Sequence, residues 1–328
     1  MTVTSTLPKN FLVRHPSMDD VRAVYELIST CEIAEYGMPD LTEEEIRTQW
    51  SSPNQNLETD AWMVVTPESK IIGYAEVWHR EHARIFAFMR VHPDYWNQGI
   101  GNHLLHLMEA RAIEHIPEAP PDARVTLNHW TSSLNTEAKQ VLEQEGFTHV
   151  RTHWRMEIDM LQAPPAPEWP EGVTVRSFVP GQDDRMVFEM VDEAFQDHWG
   201  HMPGNFEEWK HRTVKRENFD STLWFLAFEA DTIAGGSLCA YYMDQAWVDT
   251  LAVLRPWRRK GVGMALLLHS FGEFYRRGSR EVVLGVDSQN LTGAVRLYLR
   301  AGMHVAREDH TYTKELRAGR ELSTQFIE

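Results

Sequence analysis

The sequence predicts a mixed α/β protein built from two copies of one domain. Apolar strand segments alternate with helical segments, which is typical of a sheet with helices on its faces. The text VHPDYWNQGIGNHLLHLME near residue 91 is repeated as VLRPWRRKGVGMALLLHSF near residue 253. Gly99 and Gly101 of the first copy match Gly261 and Gly263 of the second at an offset of 162 residues. This offset indicates a duplicated domain, since solenoid repeats span about 20–50 residues.

Length and composition fit a globular protein of two domains. The chain has 328 residues, and domains usually hold about 100–200. Apolar residues make up 42% of the chain and charged residues 24%, which excludes a disordered protein. Asp and Glu outnumber Lys and Arg by 48 to 32, giving a formal net charge of −16. Because nucleic-acid binding relies on cations that displace phosphate counterions, we expect no nucleic-acid partner.

The sequence also gives no sign of a membrane or secreted protein. No apolar run approaches the ~18–20 residues that span a bilayer. The segment MTVTSTLPKNFLVRH lacks the basic, apolar and small-residue order of a signal peptide. Cys31 and Cys239 are isolated, so they form neither a disulfide framework nor a C-x-x-C motif. We therefore expect a cytoplasmic protein with reduced thiols and no membrane partner.

A proline-rich segment separates the two copies. Residues 162–172 read QAPPAPEWPEG and contain four prolines. Proline fixes φ and removes a backbone donor, so this segment is predicted to be an extended, fairly stiff linker. The predicted domains are residues 1–161 and residues 173–328.

Each half follows one order of elements. A short strand and a helix come first, then a polar, aromatic-rich connection and three short apolar strands. A glycine turn opens a helix, near 100–115 or 262–277, and a strand, a helix that stops at a glycine and a closing strand follow. In the first half the strands before the closing one are predicted near 11–15, 61–65, 71–79, 84–91 and 125–130. In the second half they are predicted near 173–178, 223–229, 233–242, 246–253 and 281–286.

The glycine turn of the second half, residues 258–263, is a candidate anion site. It follows the apolar strand WVDTLAV and precedes the helical text MALLLHSFGEFYRR. A helix N-terminus offers free backbone N–H groups and a positive dipole end, and glycines allow close approach. Arg258, Arg259 and Lys260 add positive charge. The turn lacks the Lys-Ser/Thr of a P-loop and a complete G-x-G-x-x-G motif. A tight turn with solvated arginines explains these residues equally well.

With its downstream text, this turn resembles a known family, the GNAT acyltransferases. Arg258-Arg259-Lys260-Gly261-Val262-Gly263 after an apolar strand is similar to motif A, which holds the pyrophosphate of acetyl-CoA. The text GVDSQNLTGAVRLYLRAGM at 285–303 resembles the following motif B. Both halves carry the pattern, and the resemblance is closest to tandem GNAT proteins of the mycothiol synthase type. It implies a twisted mixed sheet with a V-shaped split between its fourth and fifth strands, where pantetheine inserts.

The resemblance implies acetyl-CoA as the cosubstrate and assigns its contacts to the fourth strand, the glycine turn and the start of motif B. The implied cofactor-binding residues are Leu251, Ala252, Val253, Arg258, Arg259, Lys260, Gly261, Val262, Gly263, Met264 and Asn290. A backbone N–H within 251–253 is implied as the donor to the thioester oxyanion. Asn290 also suits an N-terminal cap, a role that asparagine commonly takes.

Acyl transfer to an amine needs a group that accepts the ammonium proton. Asp249 is the candidate base, since aspartate is disfavoured in strands and its presence there asks for a reason. Period-two alternation predicts that Asp249 shares one face with Trp247, Leu251 and Val253. A structurally paired aspartate is an equal alternative. Other candidates for the base are Asp244, His198 and a water relay.

The leaving thiolate needs a proton donor, and Tyr298 is the candidate. It lies in a helix predicted over residues 292–300, and the resemblance places it beside the CoA sulfur. A tyrosine hydroxyl donates a hydrogen bond without carrying charge. Helical spacing alone favours a packing role with Leu297, whereas the motif favours the catalytic role.

The acceptor is predicted to meet the connection after the first helix of the second half. Its text EAFQDHWGHMPGNFEEW, residues 193–209, is dense in aromatic side chains and histidine. His198 and Trp199 are the candidate substrate-binding residues. Loops of this composition line pockets, and they also pack against neighbouring domains, so both interpretations stand.

The first half is predicted to have lost the reaction. Trp96 stands at the place of Arg258, Leu142 at that of Tyr298 and Ala87 at that of Asp249. His103 and His106 have the spacing of two metal ligands, but zinc sites need three or four ligands and no third is evident. We therefore predict a degenerate first domain and no metal site.

Together these features predict an acetyl-CoA-dependent N-acetyltransferase. An amine of a small molecule would attack the thioester directly in a ternary complex in the second half, and the chain would be a monomer or homodimer. One alternative is a non-catalytic acyl-CoA-binding sensor or scaffold, against which Tyr298 and Asp249 together speak. Another is a nucleotide- or phosphate-binding protein, which the missing Lys-Ser/Thr disfavours.

Overall fold

The computed structural model describes residues 7–8, 10–53, 55–216, 219–290 and 292–325. The first repeat contains, in order, β1 (Leu12–Arg14), α1 (Val21–Tyr36), α2 (Glu43–Trp50), α3 (Leu57–Asp60), β2 (Ala61–Val65), β3 (Ile71–Arg80), β4 (Arg84–Val91), α4 (Ile100–Glu114), β5 (Val125–Ser132), α5 (Thr136–Gln144) and β6 (Thr148–Asp159). The second contains β7 (Val173–Ser177), α6 (Asp184–Phe195), α7 (Phe206–Arg212), β8 (Trp224–Glu229), β9 (Thr232–Tyr242), β10 (Gln245–Val253), α8 (Val262–Arg276), β11 (Glu281–Asp287), α9 (Ala294–Arg300) and β12 (His304–Arg317). Within these described residues, every helix is too short or too polar to cross a membrane.

The predicted strands and helices are confirmed, and the polar connections also contain three described helices that periodicity missed: α2, α3 and α7. α2 begins at a reciprocal cap. The backbone N–H of Thr42 donates to the Glu45 carboxylate at 2.8 Å, and the backbone N–H of Glu45 donates to the Thr42 hydroxyl oxygen at 3.1 Å. Asn205 caps α7 by accepting from the N–H of Glu207 at 2.9 Å. Such caps satisfy the first backbone donors of a helix. They define short helices that carry little apolar pattern.

The chain forms two compact units that depart from sequence order at their ends. The N-terminal unit holds the residues up to Thr152 together with Asp309–Leu322. The C-terminal unit holds His153–Glu308 together with the residues from Ser323. β5 pairs antiparallel with residues 309–317 of β12, and β11 pairs antiparallel with residues 153–159 of β6. Each sheet is therefore completed by the closing strand of the other repeat, an exchange that domain limits drawn in sequence order do not include.

In each unit the two central parallel strands separate partway along their length. β4 pairs with β5 over residues 84–87, and the described pairs of β10 with β11 are those of Ala246 and Trp247. β9 continues to pair with β10 as far as Val253, so the other edge of β10 lies open beyond Trp247. The V-shaped split between the fourth and fifth strands is confirmed.

Two apolar cores cover the two faces of the C-terminal sheet. Alternate β8 residues contact different cores, which places the cores on opposite faces. The α8 core includes Phe225, Ala227, Val262, Leu266, Phe271 and Phe274. The α6 core includes Val187, Met190, Ala194, Trp224, Leu226 and Phe228.

Gly235 of β9 lies against β10 with no room for a side chain. A Cβ there would lie 2.4 Å from the Ala252 carbonyl oxygen and 3.1 Å from the Val253 Cα. Because these are backbone atoms held in the sheet, Gly235→Ala should lower the free energy of unfolding by about 3 kcal/mol, measured by urea denaturation. Gly272→Ala is the control, since a Cβ there meets nothing within 4 Å and a gain of about 1 kcal/mol is expected. Unchanged stability of the Gly235 variant would contradict the close approach.

Candidate active site

The glycine turn starts α8 with unpaired backbone donors. Gly261 caps the helix with φ of 94°, and Arg259 has φ of 61°. In the described part of the chain, the N–H groups of residues 259–264 have no backbone acceptor within hydrogen-bond range. The side chains of Arg259 and Lys260 are exposed. The turn therefore combines the free donors, helix N-terminus and positive charge that an anion requires.

Arg258 braces the turn from inside. Its Nε donates to the carbonyl of Val253 and its Nη2 to the carbonyl of Ala194, both at 3.0 Å, and its Nη1 pairs with the buried carboxylate of Asp197. Its backbone N–H donates to the carbonyl of Arg255 at 3.3 Å. The guanidinium holds α6 and the end of β10 together, rather than presenting its charge to an approaching anion as the sequence suggested.

A different side chain makes one of these contacts in the N-terminal unit. Trp96 matches Arg258 in the repeat, and its Nε1 donates at 2.9 Å to the carbonyl of Val91, which matches Val253. The exchange of arginine for tryptophan preserves a structural contact. It is not the loss of a phosphate-facing cation that the sequence comparison indicated.

The other predicted turn residues position the start of α8. Val262 is fully buried in the α8 core. A Cβ at Gly263 would lie 3.2 Å from Leu297 of α9, so this glycine allows α8 and α9 to approach closely. Met264 is half-buried in the first helical turn. Gly261 alone among them has the left-handed backbone that glycine favours.

β10 contains a β-bulge at Asp249. Its pairing with β9 shifts between Val248 and Thr250, so Asp249 is an extra residue. The β10 side chains that contact the α8 core are at even positions before the bulge and odd positions after it: Ala246, Val248, Leu251 and Val253. The prediction that Trp247 and Asp249 share a face with Leu251 and Val253 is wrong, because the extra residue shifts the alternation by one.

β4 of the N-terminal unit lacks this extra residue. Eight consecutive pairs join β3 and β4 without a shift. Ala87 lies opposite Val77, whereas Val248 lies opposite Cys239, the match of Val77 in the second repeat. Ala87 is thus the counterpart of Val248. The sequence comparison matched Ala87 with Asp249 by a constant offset, and the strand pairing shows that this assignment is wrong.

Two backbone N–H groups of β10 point into the split. The N–H of Leu254 donates to the carbonyl of Ala234 in β9 at 3.0 Å. Because successive N–H groups alternate in direction along an antiparallel strand, that of Ala252 also points toward β9. Those of Val253 and Leu251 point to the open edge. The Val253 carbonyl, which faces the same way, accepts the hydrogen bond from Nε of Arg258.

Asp249 is exposed and belongs to a hydrogen-bonded chain. It accepts from the Tyr242 hydroxyl at 2.8 Å, and that oxygen accepts from Nη1 of Arg216 at 2.6 Å. Burial, with the nearby charge of Asp249, raises the pKa of Tyr242. The phenol therefore stays protonated and orients the carboxylate.

Tyr298 lies on α9 with its ring in the α8 core and 7% of its surface exposed. Burial raises the pKa of Tyr298 to about 12, so the hydroxyl is protonated at neutral pH. Among the residues that the structure describes, none forms a hydrogen bond with this hydroxyl. The ring packs as helical spacing predicted, and the hydroxyl remains available as a donor.

Asn290 is a turn residue before α9, and the N-cap of that helix is Gly293. Its Oδ1 accepts from the N–H of Thr292 at 2.9 Å and from the Thr292 hydroxyl at 2.5 Å. A longer contact of 3.4 Å reaches the N–H of Ala294, the first residue of α9. The asparagine thus shapes the loop between β11 and α9.

The loop after α6 carries His198 and Trp199. Burial, followed by the charge of Arg258, lowers the pKa of His198 to about 4, so this imidazole is neutral at pH 7. The carboxylate of Asp287, at the carboxyl end of β11, acts in the opposite direction. Nε1 of Trp199 donates to the side chain of Gln325 at 2.9 Å. His198 therefore lies within electrostatic range of the split, while Trp199 is held by the C-terminal segment.

The N-terminal unit fills its own turn with a carboxylate. The N–H of Asn97 donates to Oε1 of Glu137 at 2.7 Å. A cavity of about 50 Å³ lies nearby, lined by residues of β4, β5 and α5. Three of its lining side chains have buried polar atoms without a hydrogen-bond partner: Glu35, Arg90 and His129. The split exists in this unit, but its turn already holds an anion.

Sequence reasoning missed Asp197, Tyr242 and Arg216. Asp197 lies beside a predicted acceptor residue, yet no pattern connects it with an arginine 61 positions away. The contact between Tyr242 and Asp249 depends on the bulge. A tyrosine seven residues before a strand aspartate is the one local signal, and it is weak.

Comparisons with known proteins agree with this fold. Models of the acetyltransferase (GNAT) domain and the acetyltransferase (GNAT) family match residues 10–156 and 185–303. The mycothiol acetyltransferase of Thermobispora bispora is 30% identical over 215 residues, which cover 63% of this chain and 68% of that protein. A GCN5-related N-acetyltransferase from Sphaerobacter thermophilus is 40% identical, with a TM-score of 0.82, covering 98% of this chain and 100% of that one. A tandem GNAT protein from the clavulanic acid biosynthesis pathway is 15% identical with a TM-score of 0.69 over 94% of this chain and 100% of its own, a likeness of fold.

The fold and split define an acetyltransferase duplicated within one chain. The chain belongs to the GNAT family of acetyltransferases, as a tandem member similar to the mycothiol synthases. It is an N-acetyltransferase, and acetyl-CoA is the cosubstrate of this family.

Asp197 holds the base of the turn through its two arginines. Hydrogen bonds from Arg255 and then Arg258 lower the pKa of Asp197 to about 2, below the value near 3.9 expected in the unfolded chain. Asp197→Asn should therefore lower the free energy of unfolding by about 1.5–3 kcal/mol at pH 7, the range for hydrogen bonds to charged groups.

The sign of the shift fixes the pH dependence of this difference. The stabilisation by Asp197 is present above about pH 4 and is lost as the pH falls toward 2. Urea denaturation of both proteins between pH 7 and 2.5 should show the two stabilities converging below pH 4. Asp231→Asn, at an exposed position, should show no such convergence. A pH-independent difference for the Asp197 variant would rule out this ion pair as its cause.

Proposed function

We propose that the C-terminal unit transfers the acetyl group of acetyl-CoA to a primary amine of a small molecule by direct attack in a ternary complex. The observation that carries this proposal is a split sheet whose fourth strand turns two N–H groups to its open edge, beside a turn with unpaired N–H groups. Tyr298, with a hydroxyl that has no described partner, packs in the α8 core together with Leu251 and Val253 of that strand. Each step of amide formation from a thioester finds a group of suitable chemistry among them.

The diphosphate of acetyl-CoA is proposed to bind the glycine turn. The free N–H groups of residues 259–264 and the N-terminus of α8 suit its negative charge. Arg259 and Lys260 are exposed beside these donors. Arg258 contributes indirectly, since its brace fixes the turn. The open edge of β10 beyond Trp247 is then proposed to take the extended, amide-bearing pantetheine arm of acetyl-CoA.

The N–H groups of Leu251 and Val253 are proposed to donate hydrogen bonds to the thioester oxygen. Both point to the open edge, and a donor held rigidly in a sheet needs no rearrangement as charge develops. The amine attacks the carbonyl carbon, the C–S bond breaks, and the electrons leave on sulfur. Tyr298 donates its proton to that thiolate, because its hydroxyl is protonated and otherwise unpaired.

Asp249 is proposed to accept the proton of the incoming ammonium, directly or through water. It is exposed, and its position on the bulge separates it from the regular ladder. The hydrogen bond from Tyr242 orients the carboxylate. The acceptor is proposed to enter along the loop of His198 and Trp199, where α6 ends. Since curated relatives are named mycothiol acetyltransferase, the amine that lacks only mycothiol's acetyl group is the first acceptor to test.

The N-terminal unit is proposed not to catalyse transfer. Its turn donor is occupied by Glu137, its fourth strand lacks the bulge, and Leu142 replaces Tyr298. The side chains of its cleft therefore provide neither the proposed base nor the proposed acid.

The proposed function is tested by thiol release from acetyl-CoA with a panel of acceptors: the mycothiol precursor amine, aminoglycosides, polyamines and peptide N-termini. Turnover with one class, confirmed by mass spectrometry of the acetylated product, would support it. Acetyl-CoA binding without thiol release for every amine would favour the non-catalytic acyl-CoA-binding alternative.

Tyr298→Phe removes the hydroxyl and keeps the buried ring. Loss of a positioned acid should lower kcat by about 10²-fold or more, with little change in acetyl-CoA affinity, measured by steady-state kinetics and calorimetry. Tyr275→Phe on α8 is the matched control and should keep full turnover. Equal kcat for the Tyr298 variant and the wild type would remove the acid role.

Gly261→Val tests the proposed diphosphate site. At φ of 94° a β-branched residue is strongly disfavoured, so the turn must change shape and its N–H groups must move. Acetyl-CoA binding by calorimetry should weaken by at least about tenfold, since several hydrogen bonds to phosphate are lost. Gly272→Val, further along the same helix where a Cβ meets nothing within 4 Å, should bind normally. Normal binding by the Gly261 variant would place the diphosphate elsewhere.

A further inference from the structure

Three histidines meet in the N-terminal unit, away from its split. His79 ends β3 with Arg80, His82 lies in the turn to β4, and His115 follows the last residue of α4. One potential ligand atom from each lies within 4.8 Å of the other two. We call these residues the histidine cluster. His103 and His106, which the sequence singled out, do not belong to it.

The cluster is compact enough for one ion to bridge its members. Nδ1 of His82 and Nδ1 of His115 are 2.8 Å apart, and the rings of His79 and His82 stack with centroids 3.8 Å apart. Ligand nitrogens of a tetrahedral zinc site lie about 3.3 Å apart, given Zn–N bonds of about 2.0–2.1 Å. Side-chain rotations that move the ring nitrogens by well under 2 Å therefore bring the three nitrogens to the separations that an ion requires.

The facing Nδ1 atoms of His82 and His115 need either a proton or a cation between them. Identical ring nitrogens at 2.8 Å repel through their lone pairs unless one carries a proton. A cation between them satisfies both. His82 also donates its backbone N–H to Nδ1 of His79 at 3.2 Å, which fixes the ring of His79 beside that of His82.

The surroundings favour imidazoles in the neutral form that binds metals. Burial lowers the pKa of His79 to about 4 and, assisted by the charge of Arg111, also lowers the pKa of His115. The Asp60 carboxylate acts in the opposite sense on both. Arg111 is itself paired with Asp60 and Glu114, each at 2.8 Å, so its positive charge is balanced. The C-terminal carbonyls of α4 add negative potential at His115.

We propose that the histidine cluster binds one divalent ion of the zinc class through three imidazoles, with water as the fourth ligand. Three neutral nitrogen ligands without a thiolate suit Zn²⁺ and its neighbours among the late first-row metals. The ion would tie the β3–β4 turn to the end of α4. Because α4 has 15 residues and begins at the glycine turn, the ion lies about 22 Å from that turn along the helix. It is therefore separate from the split of its own unit.

Binding is tested with Co²⁺ on the full-length, tag-free, chelator-treated protein. Co²⁺ replaces Zn²⁺ in such sites, and its visible absorption reports coordination. The expected result is one Co²⁺ per chain by equilibrium dialysis, with the strong bands of a four-coordinate ion, and displacement by Zn²⁺. A rise of the thermal unfolding midpoint with Zn²⁺ should accompany binding, because the ion favours the folded state.

His82→Ala is the main variant, since His82 is only partly buried and its loss should leave the fold intact. Removal of one of three ligands should weaken Co²⁺ binding by at least about 100-fold, beyond the 10–100-fold effects of groups that merely support ligands. His103→Ala and His106→Ala are matched controls that should bind normally. Both residues lie on α4, the helix that His115 directly follows. His79→Ala gives a second ligand variant if the first fails to fold, judged by circular dichroism.

Two results would overturn the proposal. One is a wild-type protein that takes up less than one ion per chain at micromolar Co²⁺ or Zn²⁺. The other is a folded His82→Ala or His79→Ala protein that binds as tightly as the wild type. Neither result depends on acetyl transfer, so the metal site and the proposed function stand or fall separately.

Discussion

The divergence of β10 from β11 after Trp247 is the constraint on which the C-terminal site depends. A strand in the middle of a sheet normally has both edges paired, but here β9 satisfies one edge while the other lies open. Polar backbone groups on an open inner edge need partners. Arg258 supplies one for the Val253 carbonyl, and the N–H groups of Leu251 and Val253 are left facing the split. The fold thus builds a hydrogen-bonding cleft from main-chain atoms.

Because the cleft is made of backbone, both repeats keep it while their side chains differ. Trp96 replaces Arg258 and keeps one contact of the brace, since an indole N–H reaches the same carbonyl as a guanidinium. Chemistry diverges at positions that the backbone does not fix. Glu137 puts a carboxylate on the turn of the N-terminal unit. In the C-terminal unit the same architecture carries the inserted Asp249 and the free hydroxyl of Tyr298, which we propose as base and acid.

The repeat and the order of elements could be predicted from sequence, because strand segments and glycine turns are local signals. The split was predicted through the resemblance to the GNAT family. The face on which Asp249 lies could not be predicted from sequence. The bulge depends on the pairing with β9, and the alternation of apolar and polar residues does not reveal it. Nor could the inward direction of Arg258, whose partner Asp197 is remote in sequence. The histidine cluster joins His79 and His82 to His115, which lies 33 positions after His82, whereas the spacing of His103 and His106 singled out two histidines outside it.

The exchange of closing strands gives the first repeat a structural role in the C-terminal unit. In the described chain, β11 pairs with β10 at two positions, whereas residues 153–159 of β6 pair with it along its whole length. Without that segment of the first repeat, β11 would be an edge strand held at one end and free over the rest. One wall of the split would then lack its support. The first repeat therefore supplies structure to the C-terminal unit, and the Glu137 carboxylate on its own turn does not affect that contribution.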